Sequence, residues 1–124
     1  MTNVISSAVE AISALIKLQS KSALVRVEFA VFFVSFSFEG YISQVDSMTL
    51  SIEGIEDAAR FAPRLIVMMF GVSTFLGEIE QDDAHLRVSL SVTRPAEVGK
   101  PELQRLTIVG EWFDKELLSR SRIN

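Results

Sequence analysis

The sequence predicts a mainly β, α+β chain in which one N-terminal α-helix precedes a small, strongly bent antiparallel β-barrel. Three observations carry this expectation. An apolar stripe with helical spacing runs through residues 4–19. Stretches with apolar residues at alternate positions follow it between residues 23 and 113, and period-2 alternation marks a half-buried strand. Among them, residues 36–55 hold Gly40 inside a strand pattern, where a missing side chain marks a sharp bend or a close backbone approach. A bend inside a long strand is what a small closed barrel needs. At 124 residues the chain makes one domain, 1–124, with strands within 23–113 and a short tail over 114–124.

The helix is expected over residues 4–19. Ile5, Ala8, Val9, Ile12, Leu15 and Ile16 recur at spacings of three and four and form one stripe, with Ser6, Ser7, Glu10 and Ser13 off it. Lys17 and Lys21 suit the negative end of the helix dipole. Such a helix packs on the sheet or across the barrel mouth, or else binds a partner or a membrane surface. Serines rather than lysines on its polar face weigh against the membrane.

Residues 23–38 read as one long strand. Val25, Val27, Phe29, Val31 and Phe33 occupy one face, opposite Arg26 and Glu28. Beyond Ala30 the other face also turns apolar, through Phe32, Val34, Phe36 and Phe38. A β-bulge produces such a switch, as does a strand covered first on one side and then on the other. The run of phenylalanines marks a core or a subunit interface. Platforms that stack nucleic-acid bases come with lysine and arginine, and residues 27–59 have neither.

Gly40 follows. The apolar residues after it, Ile42, Val45, Met48 and Leu50, are unevenly spaced, so the chain must kink or bulge within 40–48, with Gly40 as the expected pivot. From Met48 to Ile52 the alternation is regular. The stretch IEDAARFAP, with its acidic start and closing Pro63, suits one or two helical turns. RLIVMMF reads as a buried strand ended by Gly71, and residues 72–79 continue extended. Glu78, Glu80, Asp82 and Asp83 read as a solvated turn. Leu86, Val88, Leu90 and Val92 alternate with Arg87, Ser89, Ser91 and Thr93, a half-exposed strand. Residues 94–102 form the loop richest in proline and glycine. The last strand is 103–113, and 114–122 suit a short charged helix.

Hydrophobic residues make up 48% of the chain and the mean hydropathy is +0.32. That is high for a soluble monomer, and a second copy is the simplest cover for the surplus. The net charge is −4 and the pI about 5.0, which gives no global attraction to nucleic acid or anionic membrane. Without cysteine there is no disulfide scaffold and no thiolate metal site. The start lacks the basic residues and cleavage site of a signal peptide. The longest uncharged run, residues 65–77, is well short of the roughly 20 residues a spanning helix needs. The expectation is a soluble, cytoplasmic protein with no membrane partner.

Signals of chemistry are sparse. The one histidine, His85, follows Asp82 and Asp83, and residues so close in a turn cannot surround a metal. No phosphate-binding glycine loop and no nucleophile elbow occur. Carboxylates such as Glu78 and Glu80 show no sign of the burial that general acid–base work requires. The expectation is no catalytic residue, no cofactor and no metal.

The order Gly40, Ile42, Val45, Asp46, Met48, Leu50, Ile52 resembles the first signature of the Sm-like family, closest to its bacterial host-factor RNA chaperone branch. The resemblance covers about 17 residues. It implies a helix followed by a bent five-stranded barrel, assembled into rings through strand pairing. The family's second signature has two candidates here, MMFGVSTF at 68–75 and TIVGEWF at 107–113. Neither has the family's basic residue, since Phe70 or Val109 stands before the glycine. By resemblance, Asp46, Thr49, Phe70 and Gly71 mark the ligand or RNA site. Thr49 stands where many relatives place a base-reading asparagine, and residues 80–124 exceed the family core.

These readings combine into a non-enzymatic, homo-oligomeric, ring-forming small-barrel protein that binds or scaffolds, with nucleic-acid binding weak or lost. The alternative is a subunit of a larger assembly that docks a protein partner through its apolar faces.

Overall fold

In the computed structural model the described residues are 2–31, 34–46, 49–56, 60, 64–68, 74–95 and 102–114. They form β1 (Thr2–Ile5), α1 (Ala8–Ser20), β2 (Leu24–Val31), β3 (Val34–Val45), β4 (Thr49–Gly54), β5 (Arg64–Met68), β6 (Thr74–Gln81), β7 (His85–Pro95) and β8 (Glu102–Phe113). The protein is mainly β with one helix. All the strands join one antiparallel sheet in the order β1-β6-β7-β8-β2-β3-β4-β5. Two meanders, β2–β5 and β6–β8, are joined where β8 pairs with β2. Among the described residues the sheet is open, with β1 and β5 at its ends.

One face of the sheet carries the core. Val25 stands between Gly40 and Gly110, Val27 between Phe38 and Ile108, and Val88 beside Gly110. Leu86, Val88, Leu90 and Val92 on β7 are all buried, as the alternation predicts. So are Leu50 and Ile52 on β4. Helix α1 lies on this face and buries Ala11, Ala14, Leu15 and Leu18. Each fully buried leucine contributes about 1.5–3 kcal/mol. The absence of a side chain at Gly110 brings α1 down onto the sheet. A Cβ there would stand 2.8 Å from the methyl groups of Leu18.

Both ends of α1 are capped by local chemistry. Ser7 is the N-cap, and its hydroxyl accepts from the Glu10 backbone N–H at 3.2 Å. Glu10 Oε1 in turn accepts from the Ser7 hydroxyl at 2.9 Å, a variant of the capping box. At the other end Ser22 adopts φ 50°. Its N–H donates to Gln19 O, and the Ala23 N–H donates to Leu18 O, the paired bonds of a Schellman motif.

Four expectations need correction. The helix begins at Ala8, not at residue 4, because Ser7 caps it and residues 2–5 pair with β6 as a strand. Its buried face is also rotated: Val9 is 77% and Ile16 46% exposed, while Ala11, Ala14 and Leu18 supply the contact. The stretch 23–38 is two strands, because the chain reverses between Val31 and Val34 and pairs Phe29 with Phe36. That reversal moves the inward side chain from odd to even positions, the switch the sequence shows. Glu78 and Glu80 belong to β6 rather than to the turn that follows it. The helix expected over 114–122 lies outside the described residues apart from Asp114, as does most of the stretch IEDAARFAP.

Candidate functional site

Of the residues singled out by the sequence, Asp46 and Thr49 come together at the β3–β4 turn. The Asp46 N–H donates to Thr49 O at 3.0 Å, and the Thr49 N–H donates to Asp46 Oδ1 at 2.8 Å. Gln44 Nε2 donates to Oδ2 at 3.2 Å. The carboxylate thus closes a turn through its own backbone, as aspartate commonly does. Phe70 and Gly71 lie outside the described residues.

Gly40 sits in the middle of β3 and is buried, opposite Gly54 on one side and Val25 on the other. A Cβ there would collide with the carbonyl oxygen of Glu53 and stand 2.9 Å from its carbon. Gly40 is a position of close approach. The bulge lies further on, between Ile42 and Gln44. Its extra residue, Ser43, places Oγ 3.1 Å from Ser51 Oγ and 3.2 Å from Ser51 O. Gln19 at the end of α1 donates to Ser43 O at 3.1 Å, which ties the helix to the bulge.

The face of the sheet away from α1 carries a charged group of side chains, with Leu76 and Phe113 exposed on the same face. Register places Arg87 directly between Glu80 and Glu111. His85 Nε2 lies 2.7 Å from Glu111 Oε2, and the imidazole stacks on Phe113 at 4.5 Å. Glu78, Glu80, Arg87 and Ser89 border a shallow recess of about 130 Å³. These groups keep water contact, and exposed ion pairs contribute only about 0–1 kcal/mol each. Among the described residues no cluster of three metal-capable side chains forms, and the buried side-chain polar atoms have partners.

A second recess lies beside the same edge of the sheet, on the face that carries α1. A groove of about 440 Å³ runs between β1 and α1, bordered by Asn3, Val4, Val9, Glu10, Ser13 and Lys17. Its two charged groups sit two helical turns apart, with Glu10 beside Ser6 and Lys17 donating to Gln81 Oε1 at 3.2 Å. The Ser7 hydroxyl, then the Ser6 N–H, hold the Glu10 carboxyl below the ordinary carboxylate range. Val4 is 62% exposed on the strand.

No protein-family model matches the chain, and no curated protein matches it. Sequence reasoning missed β1, the groove and the His85–Glu111 pair. The pattern Ser7-x-x-Glu10 was the available signal for the first two, since it places the helix start at Ala8 and frees residues 2–5 for a strand. Nothing local signals a pair 26 residues apart.

Proposed function

We propose that the protein is a non-enzymatic, homo-oligomeric binding or scaffolding module. One observation carries this reading: large apolar side chains remain in water at Val4, Val9, Ile16, Leu24, Phe36, Leu76 and Phe113, and Val4 and Val9 lie beside the β1 edge, which no described strand covers. Such edges are templates for pairing with another chain. The described carboxylates and His85 support it too, since none of them is fully buried as acid–base work favours. The finer reading keeps the Sm-like relation, with a bent barrel and a ring. It rests on the signature from Gly40 to Ile52. RNA binding is weak and unspecific in this reading, given the pI of about 5.0 and the turn role of Asp46.

The test is solution mass by light scattering over a wide concentration range, with single-stranded RNA binding measured beside it. A multiple of 13.8 kDa is expected. A monomer at every concentration overturns the oligomer. Sequence-selective RNA binding with a sub-micromolar Kd at physiological salt overturns the nucleic-acid part.

A further inference from the structure

We propose that β1 and the adjoining side of α1 form a two-fold interface with a second copy of this chain, in which β1 pairs antiparallel with the partner's β1. This rests on the homo-oligomer reading above and not on its Sm-like part.

The strand supplies the first argument. β1 pairs on its inner side with β6, Thr2 with Glu80 through Ile5 with Gly77. Its outer side meets no described strand. Proteins protect an open edge with a very short strand, charges, proline, a bulge or a covering loop, and of these β1 shows the short length, four residues. The sequence Thr-Asn-Val-Ile holds neither proline nor charge, and its pairing with β6 is regular.

The helix supplies the second. Val9 borders the groove and is 77% exposed, although its own helix buries four other apolar residues. A valine left in water beside an open strand edge suits burial by a neighbour.

Charge decides who the neighbour is. Glu10 lies near one end of the groove and Lys17 near the other, on the same side of α1. A two-fold axis normal to the strands runs the two helices antiparallel across the joined edge. Glu10 of one copy then faces the partner's Lys17, and Lys17 faces the partner's Glu10. The groove is self-complementary under a two-fold axis, the commonest symmetry of oligomers. A head-to-tail arrangement lacks this match.

Register follows from the pleat. Facing residues must share a sheet face, so the axis passes through a residue. Placing it at Val4 sets the exposed valine against its own copy. Asn3 then faces the partner's Ile5, and Thr2 faces the partner's Ser6.

The chain has no cysteine, so Val4→Cys introduces a single reporter thiol. Under mild oxidation it is expected to yield a covalent dimer of twice 13.8 kDa. Ser37→Cys, exposed on β3, is the control and is expected to stay uncrosslinked. Val9→Glu sets two added carboxylates near the joined edge. It is expected to weaken dimerisation about tenfold or more while the melting curve of the monomer holds. Lys17→Glu is expected to act in the same direction, and the charge swap Glu10→Lys with Lys17→Glu to restore the dimer. Wild-type protein that sediments as a monomer overturns both the interface and the homo-oligomer reading. An oligomer in which Val4→Cys fails to cross-link, or in which Val9→Glu changes nothing, overturns the interface alone. Capture of a different protein by the groove, with the chain itself monomeric, also overturns it.

Discussion

Replacing Gly40 with alanine tests whether β3 and β4 meet as closely as the geometry says. The added methyl collides with the Glu53 carbonyl oxygen and stands 2.9 Å from its carbon and 3.2 Å from the Gly54 Cα. All three are backbone atoms, so no rotamer change relieves the contact. β4 must move away from β3 by several tenths of an ångström or more. Overpacking of this kind costs about 1–3 kcal/mol, and each ladder hydrogen bond weakened by the shift adds about 1 kcal/mol. The expected loss is about 2–4 kcal/mol, against about 5–15 kcal/mol for the whole domain. At about 3–6 °C per kcal/mol for a chain between the small and medium size classes, Tm falls by roughly 6 °C or more. Gly110→Ala is the control. Its methyl meets the ends of the Leu18 and Val25 side chains at 2.8 and 2.9 Å, and Leu18 can rotate. Its cost is expected below that of Gly40→Ala. Thermal melting by circular dichroism reads both. A Gly40→Ala protein that melts within 2 °C of wild type, or above Gly110→Ala, refutes the close approach.

The caps of α1 give further tests by the same assay. Ser22 holds φ 50° at the end of the helix, so Ser22→Gly is expected to raise stability by up to about 1 kcal/mol. A lower Tm counts against the Schellman assignment. Ser7→Ala removes the N-cap acceptor and is expected to cost about 1 kcal/mol; an unchanged Tm shows that the cap contributes nothing. The Glu10 carboxyl is held low by the Ser7 hydroxyl and then by the Ser6 N–H. A depressed native value means the stabilisation is present above the ordinary value of 4.5 and fades as pH falls through the native one. The Tm gap between wild type and Glu10→Gln is therefore expected to close in acid. A gap that persists or widens there contradicts the sign.

The existence of most strands was legible from residue chemistry, that of β1 was not, and neither was strand direction. β7 shows why the first part worked. Its alternation of Leu86, Val88, Leu90 and Val92 with serines and Arg87 fits one buried and one wet face. β2 and β3 show the limit. Apolar residues stand at odd positions up to Val31 and at even positions from Phe36, so pattern alone fits a bulge as well as a reversal. Only pairing, Val31 with Val34 and Phe29 with Phe36, tells the two apart. The kink expected within 40–48 does occur, at Ser43 rather than at Gly40. A glycine in a strand signals close approach as readily as a bend, and here the neighbour's backbone sets the need.

The candidate site was less legible, because α1 offers two overlapping apolar stripes. The expected stripe runs through Ala8, Val9, Ile12, Leu15 and Ile16, while the buried one runs through Ala11, Ala14, Leu15 and Leu18, with Leu15 common to both. Both have helical spacing, so periodicity alone does not choose between them. The sheet takes the second, because alanines let the helix approach closely and Gly110 leaves room for Leu18. The consequence is a helix with one apolar stripe on its own sheet and part of another left over, beside the open edge of β1. Apolar side chains that the described residues leave exposed, next to a strand edge that no described strand covers, are a reason to look for the binding surface there. The Sm-like positions at Asp46 and Thr49 lack that property, since their described polar contacts serve the turn itself.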